Sequence, residues 1–531
     1  LALATPDDGD FIWIPANSGI DFNTKNLRIQ VSLAQVPAVL DRAQETFSVP
    51  EDGQNYYVDD QSNAGDSYTP TAVGSNRNTS KTPEVPKPNP VNVFRAYDLQ
   101  AGDTLYIDSG DYPMIDAIGV SGSNDVSLLV GPGMGRDEGF TITGPTESDL
   151  IARLFPAIPG DRTRALIDLE DADFVTVRHL TLENAHRGVY THGGSDSFEA
   201  SFLTATGHAQ EGFRIDTASP FGDFDHLVAL NNGAGGVVIS GNIRSLTHST
   251  ALGNTGDGFR VTGLIGSATD NIARTNTDWG FEFSQSGDGV IQRNESSANR
   301  AGIYVSNNVS GSAVQIGDTD LANGNGNRVF DNRDGGIYAY YGALVAGNSV
   351  SGHLTSSAWG IYAYSNVTVD SNLVYDNTQG IYGWYGTIDR NRVYANTNDG
   401  IRAENTDLLG NVVYGNAVGL RISEYANQPR TSRSNLVYGN SSAGVLIGGN
   451  AQIFINNTVY QTVGDAVRVA NASNTKLFNN ILGADAGYVL SVASNSQVGF
   501  ESDYNLFLNG GTLGQWQGVD RASLAAWRGA S

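Results

Sequence analysis

The sequence predicts an all-β solenoid, and three observations predict it. First, a four-residue phrase recurs from about residue 188 to residue 490: Gly, a bulky apolar residue, an outward residue, another apolar residue. It reads Gly-Val-Tyr-Thr at Gly188, Gly-Phe-Arg-Ile at Gly212, Gly-Val-Val-Ile at Gly236, Gly-Phe-Arg-Val at Gly258 and Gly-Phe-Glu-Phe at Gly280. It continues at Gly302, Gly336, Gly360, Gly380, Gly400, Gly419 and Gly444, with spacings of 24, 24, 22, 22, 22, 34, 24, 20, 20, 19 and 25 residues. Second, the repeats alternate apolar and polar residues with period two and show no helical pattern, so one coil of short strands is the repeating unit. Third, 64 of the 531 residues are Gly and only 16% are charged, a turn-rich β composition. In such a solenoid, residues at one place in successive repeats lie about 4.8 Å apart, so the sequence reads as columns on a surface.

Taken in order, residues 1–50 do not share the repeat. Asp10-Phe-Ile-Trp-Ile-Pro15 and Leu27-Arg-Ile-Gln-Val31 read as strands, and Pro37 to Glu45 has a short helical pattern. This segment is expected to be an N-terminal cap or the tail of a preceding domain, since a solenoid's open strand edge needs covering. Residues 51–90 are rich in Asp, Asn, Ser, Thr and Pro. Asp59, Asp60 and Asp66 stand close together there, and their hard oxygen donors suit calcium as a stabilising ligand. Their spacing does not fit a twelve-residue EF-hand loop. From Phe94 the pattern is β again.

The 31 basic and 56 acidic residues give a formal charge of −25, which disfavours nucleic acid and anionic membranes as partners. There is no cysteine, so neither a disulfide framework nor a thiolate metal site is expected. No apolar run is long enough to span a bilayer. The chain starts at Leu1 without a basic n-region, so any signal peptide is expected to have been removed or to lie outside this piece. No HExxH, P-loop, GxSxG or dinucleotide fingerprint is present, and no organic cofactor is expected.

The segments Tyr56-Tyr-Val-Asp-Asp60, Gly65-Asp66, Ala96-Tyr-Asp-Leu99 and Gly102-Asp-Thr-Leu-Tyr-Ile-Asp-Ser-Gly-Asp-Tyr112 resemble the entry of secreted bacterial right-handed parallel β-helix proteins. Asn372-Leu-Val-Tyr-Asp-Asn377, Asn391-Arg-Val-Tyr-Ala-Asn396, Asn411-Val-Val-Tyr-Gly-Asn416 and Asn435-Leu-Val-Tyr-Gly-Asn440 resemble that superfamily's coil repeat. Ser502-Asp-Tyr-Asn-Leu-Phe507 followed by Leu524-Ala-Ala-Trp-Arg528 resembles its closing coil. The likeness spans residues 51–531 and implies a single-stranded right-handed parallel β-helix with an N-terminal cap, secreted or held at a bacterial surface. It does not by itself choose an activity, because the superfamily includes pectate lyases, alginate lyases, mannuronan C5-epimerases, hydrolases, tailspikes and adhesins. The Asp-Pro-His-Glu motif of secreted mannuronan epimerases is missing.

With the Gly as position zero, positions +1 and +3 should point inward: Val189, Phe213, Val237, Phe259, Phe281, Ile303, Ile337, Ile361, Ile381 and Ile401. Asn precedes the Gly by three or four residues at Asn232, Asn254, Asn276, Asn332, Asn377, Asn396, Asn416 and Asn440, an expected amide ladder. Tyr375, Tyr394, Tyr414, Tyr438 and Tyr460 form an architectural column on another sheet.

The outward columns carry the candidate chemistry. Three consecutive coils show paired aromatics, Tyr338 with Tyr340, Tyr362 with Tyr364, and Tyr382 with Trp384. Exposed flat rings stack on sugar faces. Arg402, Glu404 and Arg421 continue the face, Arg260 and Glu282 lie on it upstream, and Arg can pair with a uronate carboxylate. Six of the seven histidines fall between residues 179 and 248. His192 should share the face of Tyr190, one coil from Arg214 and Asp216. These four could neutralise a uronate and move its C5 proton. His208 reads as a ladder residue, and His179, His226 and His248 as a stacked column rather than metal ligands. For hydrolysis, Asp216 and Glu282 stand three coils apart, about 14 Å, wider than the roughly 6.5–9.5 Å of an inverting carboxylate pair.

The sequence therefore points to a polysaccharide-active protein, a lyase or C5-epimerase of uronate-containing chains. A noncatalytic carbohydrate-binding or adhesive module, or a structural one, remains the alternative. Neither the sugar nor the oligomeric state is legible.

Overall fold

The computed structural model describes residues 30–33, 36–42, 55–97, 99, 101–121, 139–216, 222–309, 311–424, 428–509 and 512–530. The chain divides into two compact units: residues 1–204 with 216–219, and residues 205–215 with 220–531.

In the second unit each coil supplies three short strands, and each strand pairs in parallel with its counterpart one coil later. The strands that carry the Gly phrase form one ladder, running for example from Trp279–Ser284 through Ala301–Ser306, Gly335–Tyr340, Trp359–Tyr364, Gln379–Trp384 and Asp399–Glu404 to Val418–Ser423. The other two ladders run alongside, as in Leu344–Ala346, Thr368–Asp370, Thr387–Asp389 and in Ser349–Ser351, Leu373–Tyr375, Arg392–Tyr394. The sheets continue from coil to coil instead of closing on themselves, the signature of a parallel β-helix. Long-range parallel pairing, with partners separated by the spacing of the phrase from 19 to 34 residues, is what the recurring phrase demanded. The solenoid ends on the antiparallel strand Val519–Arg521 and the helix Leu524–Arg528, whose Trp527 is buried against Trp516.

The glycine column has a steric cause. A Cβ on Gly336 would lie 2.3 Å from the Gly360 carbonyl oxygen, and one on Gly380 2.1 Å from that of Gly400, so only glycine permits this coil-to-coil approach. The expected inward column is the core: Val189, Phe213, Val237, Phe259, Phe281, Ile303, Ile337, Ile361, Ile381 and Ile401 are all fully buried. Phe259 and Phe281 stack at 5.1 Å.

Bends between strands use single residues in the left-handed region. His226, His248 and Asp270 occupy one such column with φ of 51°, 47° and 61°. The backbone groups that these bends strip from the ladders are met by buried amides. In one ladder the carboxamide oxygens of Asn254, Asn276, Asn299 and Asn332 each accept from the Asn one coil back at about 3 Å. Asn377, Asn396, Asn416 and Asn440 resume it, and a second ladder runs Asn271, Asn294, Asn327, Asn348, Asn372, Asn391, Asn411, Asn435 and Asn457. His208 and His353 are ladder members too, each donating its backbone N–H to the next Asn. Burial holds the His353 imidazole neutral, with its pKa lowered to about 4. The Tyr375, Tyr394, Tyr414, Tyr438 column stacks at 4.9–5.1 Å with planes within 8°, as its architectural reading required.

The first unit carries the opening coils. Asn55–Val58, Thr104–Ile107, Thr141–Thr143 and Thr176–Glu183 pair in parallel, and Ile118–Ser121, Ala165–Glu170 and Arg187–His192 form another ladder. A five-residue helix, Pro90–Phe94, is capped by the Asn89 side chain and buries Pro90, Val91 and Val93. Upstream, Gln30–Leu33 pairs antiparallel with Val36–Arg42. The helical pattern expected at Pro37–Glu45 is therefore wrong over residues 37–42. Cross-strand pairing overrides a local Pro-Ala-Val-Leu propensity that is only a weak prior. The strand expected at residues 10–15 lies outside the described residues.

Candidate functional site

The outward face of the Gly-phrase sheet in the second unit is a continuous aromatic surface. Register places Tyr338 beside Tyr362 and Tyr382, and Tyr340 beside Tyr364 and Trp384. Ring centroids lie 5.6 Å apart for Tyr338–Tyr362, 4.8 Å for Tyr362–Tyr382 and 4.1 Å for Tyr364–Trp384, with planes 18–24° apart. Trp279, Tyr304 and Trp359 extend it, with Trp279–Tyr304 and Trp359–Tyr382 both at 5.3 Å. The expectation of freely exposed flat faces needs correction. Rings on strands about 4.8 Å apart stack face to face down the column, so the best-stacked tyrosines spend their faces on one another. All six predicted rings are half-buried. Burial, then the Asp334 charge, pushes the Tyr338 hydroxyl up to about 12, and burial likewise raises Tyr340 and Tyr382. Tyr338 donates to the Asp334 carbonyl at 2.9 Å and Tyr382 to Glu404 Oε2 at 3.1 Å.

The charged end of this face is self-neutralised. Glu404 lies on this outward face, in register with Trp384, but is covered there, and it accepts from Arg402 Nε at 2.9 Å. Arg421 grips Asp399 through Nε and Nη2 at 2.7 and 2.9 Å, a bidentate pair. Arg402 and Arg421 thus reach a ligand carboxylate only by sharing themselves with Glu404 and Asp399.

At the other end sits a group that sequence reasoning missed. Asp257 is almost fully buried, accepts the Trp279 backbone N–H at 3.0 Å and is hydrogen-bonded to Glu282. Burial first, then the charges of Glu282 and Asp278, pushes its carboxyl up to about 7. The neighbouring Glu282 charge opposes a second negative charge, which biases Asp257 toward its neutral form. Glu282 lies opposite Arg260 in register, with Arg260 Nε 3.5 Å from its Oε2. The available signal was an Asp immediately before one repeat glycine and a Glu two after the next.

In the first unit, Tyr190 and His192 are brought together as expected, with rings stacked at 4.4 Å. His192 Nε2 lies 2.9 Å from Asp168 Oδ1, and Arg187 sits 4.9 Å from the Tyr190 ring. Asp168 also escaped the sequence reading, because its strand Ala165–Glu170 lacks the Gly phrase. The other two members of the proposed quartet divide between the units: Asp216 falls in the first, whereas Arg214 falls in the second and donates to Ser240 Oγ at 3.2 Å.

The three predicted metal-site aspartates are placed in one neighbourhood of the first unit. Asp59 is fully buried, and both its carboxylate oxygens and both of Asp66's are shielded from solvent without a hydrogen-bond partner. Burial, then the charges of Asp66, Asp60 and Asp108, pushes Asp59 up to about 8, and burial with Asp108 and Asp60 pushes Asp66 to about 6. Asp60 accepts from the Ser62 and Asp111 backbone N–H groups.

Elsewhere, His179 stacks on Phe202 at 4.8 Å and His226 on His248 at 4.9 Å, in line with the stacking reading. Asp225 joins both rings of the second pair, at 2.7 and 2.9 Å. Among the described residues this is the trio whose ligand atoms all lie within 4.8 Å of one another. No described helix is long and apolar enough to cross a membrane.

Residues 307–454 match the family described as right handed beta helix region, and the chain has the right-handed parallel β-helix fold. No curated protein matches the chain. Two A-modules of Azotobacter vinelandii mannuronan C-5 epimerases are similar at 14% identity, over 76% and 77% of this chain and 90% of each of theirs, with TM-scores of 0.29 and 0.31. A pectate lyase is similar at 12% identity over 79% of both chains, with a TM-score of 0.24. Likenesses this distant assign no activity.

Proposed function

For a chain with this fold, we propose that it is a polysaccharide-active protein that acts outside the cell. Sugars lie along the aromatic face of the second unit, and the Asp257–Glu282 pair moves a proton beside Arg260. The carrying observation is that a run of aromatic rings beginning at Trp279 adjoins two neighbouring carboxyls, Asp257, which accepts the Trp279 backbone N–H, and Glu282, which faces Arg260 in register. Pockets that orient sugars combine such rings with a few placed polar groups.

The substrate class we propose is a uronate-containing chain, and the reaction is β-elimination or C5 epimerisation. Arg260 is 46% exposed, which leaves it available to neutralise the uronate carboxylate and make the C5 proton removable. In elimination, the ionised carboxylate takes the C5 proton, C4–O4 breaks as the double bond forms, and the neutral partner protonates the departing O4. In epimerisation, the carboxylate takes the C5 proton, a solvent water gives one to C5 from the opposite face, and the hydroxide left behind recovers the proton held by the carboxyl. The His192–Asp168 pair, with Tyr190 stacked on the imidazole, is another acid–base arrangement among the described residues; its own test is His192→Ala, which leaves turnover intact if Asp257 and Glu282 carry the chemistry.

Trp384→Ala is expected to weaken binding of a uronan oligosaccharide severalfold, with about 1 kcal/mol of stability lost with the Tyr364 stack. Calorimetric titration alongside a urea melt checks both; unchanged affinity would remove the aromatic face from the site.

The raised Asp257 carboxyl also sets a pH dependence. Its native pKa lies above the unfolded value, so its contribution is complete below about pH 4 and is lost as pH rises through about 7. The charges nearby are Glu282 and Asp278, with Arg260 paired to the first and Arg300 to the second. Urea unfolding should therefore show stability falling between about pH 5 and pH 8 and a flatter profile in Asp257→Asn; equal slopes in the two proteins would show that Asp257 is not biased toward its neutral form.

A further inference from the structure

We infer that Asp59 and Asp66, with Asp60, form a structural divalent-cation site that takes calcium and locks the loop between the first two strands of the solenoid's opening coils. The argument begins with what these side chains lack. A buried carboxylate ordinarily finds a cation, several N–H donors or a metal. Asp108 shows the ordinary solution in the same neighbourhood: its Oδ1 accepts from the Ser67 and Ser109 N–H groups at 2.7 and 2.8 Å. Its Oδ2 accepts from the Tyr68 and Thr69 N–H groups at 2.7 and 2.6 Å and from the Thr69 hydroxyl at 2.9 Å. Asp108 is a loop clamp, and its lone pairs are spent.

Asp59 and Asp66 have none of this. Four carboxylate oxygens are sealed from water without a full hydrogen bond, and the Gly74 backbone N–H is the donor that comes near Asp59. Asp59, the side chain at 0% exposure, follows directly on the strand Asn55–Val58, and Asp66 lies in the loop that Asp108 clamps. Asp60 offers partly used oxygens: Oδ1 accepts from Ser62 N–H at 2.7 Å and Oδ2 from Asp111 N–H at 3.2 Å. The buried Lys87 ammonium donates to the Asn78 carbonyl at 2.9 Å instead of to an aspartate.

The donor set is all oxygen, with no imidazole or thiolate, which suits a hard cation. Calcium accepts six to eight oxygens in adaptable geometry at about 2.3–2.6 Å, with carboxylates mono- or bidentate, so three aspartates plus loop carbonyls and water are a natural set. Among the described residues the trio whose ligand atoms all lie within 4.8 Å of one another is elsewhere, at Asp225, His226 and His248. The aspartates must therefore close up by side-chain rotation, drawn by a charge that cancels their mutual repulsion. Such a site orders the segment that starts the solenoid, where unpaired strand edges are most costly.

The test uses the full chain stripped with EDTA, titrated with calcium chloride by calorimetry and melted with and without millimolar calcium. Calcium at about a hundred times its Kd should raise Tm of the full chain by roughly 2 °C. Asp59→Asn and Asp66→Asn should each fold as well as the stripped parent, because each removes a buried charge, and each should lose at least about tenfold in calcium affinity together with most of the Tm response. His248→Ala should leave both unchanged. No calcium heat and no Tm change in the parent, or undiminished affinity in both Asn variants, overturns the proposal.

Discussion

Asn391→Ala is expected to be among the most damaging single substitutions in the solenoid, costing about 3 kcal/mol or more in urea unfolding. Asn391 is fully buried. Its side-chain oxygen accepts from the backbone N–H and the amide of Asn372, both at 2.9 Å. Its amide donates to the Val369 and Asp389 carbonyls at 2.9 Å and to Asn411 Oδ1 at 3.1 Å. Alanine strands the Asn372 donors and the Val369 carbonyl in a dry interior, and each orphan costs roughly 1–3 kcal/mol. The cost also spreads, because a repeat's stability includes the interface with its neighbours on either side. Tyr394→Ala, in the same coil but on an outward stack, should cost about 1 kcal/mol. An Asn391→Ala loss no larger than that of Tyr394→Ala would show that the amide ladder is filler rather than a fastening.

Asp257→Asn and Glu282→Gln are expected to lower turnover of a uronan substrate by about 10²–10⁴-fold each while leaving oligosaccharide affinity within a few-fold. Both replacements keep size and hydrogen-bonding capacity. The carboxamide oxygen introduced by Asp257→Asn can still accept the Trp279 N–H, so the fold is preserved, and what is lost is the exchangeable proton. The double variant should be little worse than either single one, since the two carboxyls act as a unit. Undiminished turnover in either single variant would move the chemistry elsewhere, with His192 and Asp168 the first place to look.

Much of the fold was legible because registered stacking makes one coil's requirements those of the next. The inward column from Val189 to Ile401, the Asn ladder and the Tyr375–Tyr438 stack all follow from side-chain identity and spacing alone. The missed features turn on quantities that spacing does not encode. Which way an aromatic ring turns depends on its neighbours' rotamers, so spacing puts Tyr338, Tyr362 and Tyr382 on the right face without disclosing their mutual stacking. Arg402 and Arg421 look free as column entries, yet Glu404 and Asp399, one buried on the same strand and one a coil back, claim them. Asp257 lies outside the +2 and +4 positions, and Asp168 lies in a coil whose glycine phrase has eroded. Asp59, Asp60 and Asp66 stand out by clustering, but the burial that leaves the Asp59 and Asp66 oxygens unpartnered is a property of the folded loop.

The central claim is that this sheet face transfers a proton at C5 of a bound uronate. Incubating the protein with a panel of uronans in deuterated water and reading the H5 resonance by NMR tests it most directly, since elimination and epimerisation both remove that hydrogen. The account predicts that H5 is lost from at least one polymer of the panel, and that it persists when the Asp257→Asn variant replaces the parent. An intact H5 on every polymer that the parent protein demonstrably binds would contradict it, and would leave the aromatic face as a binding surface without chemistry.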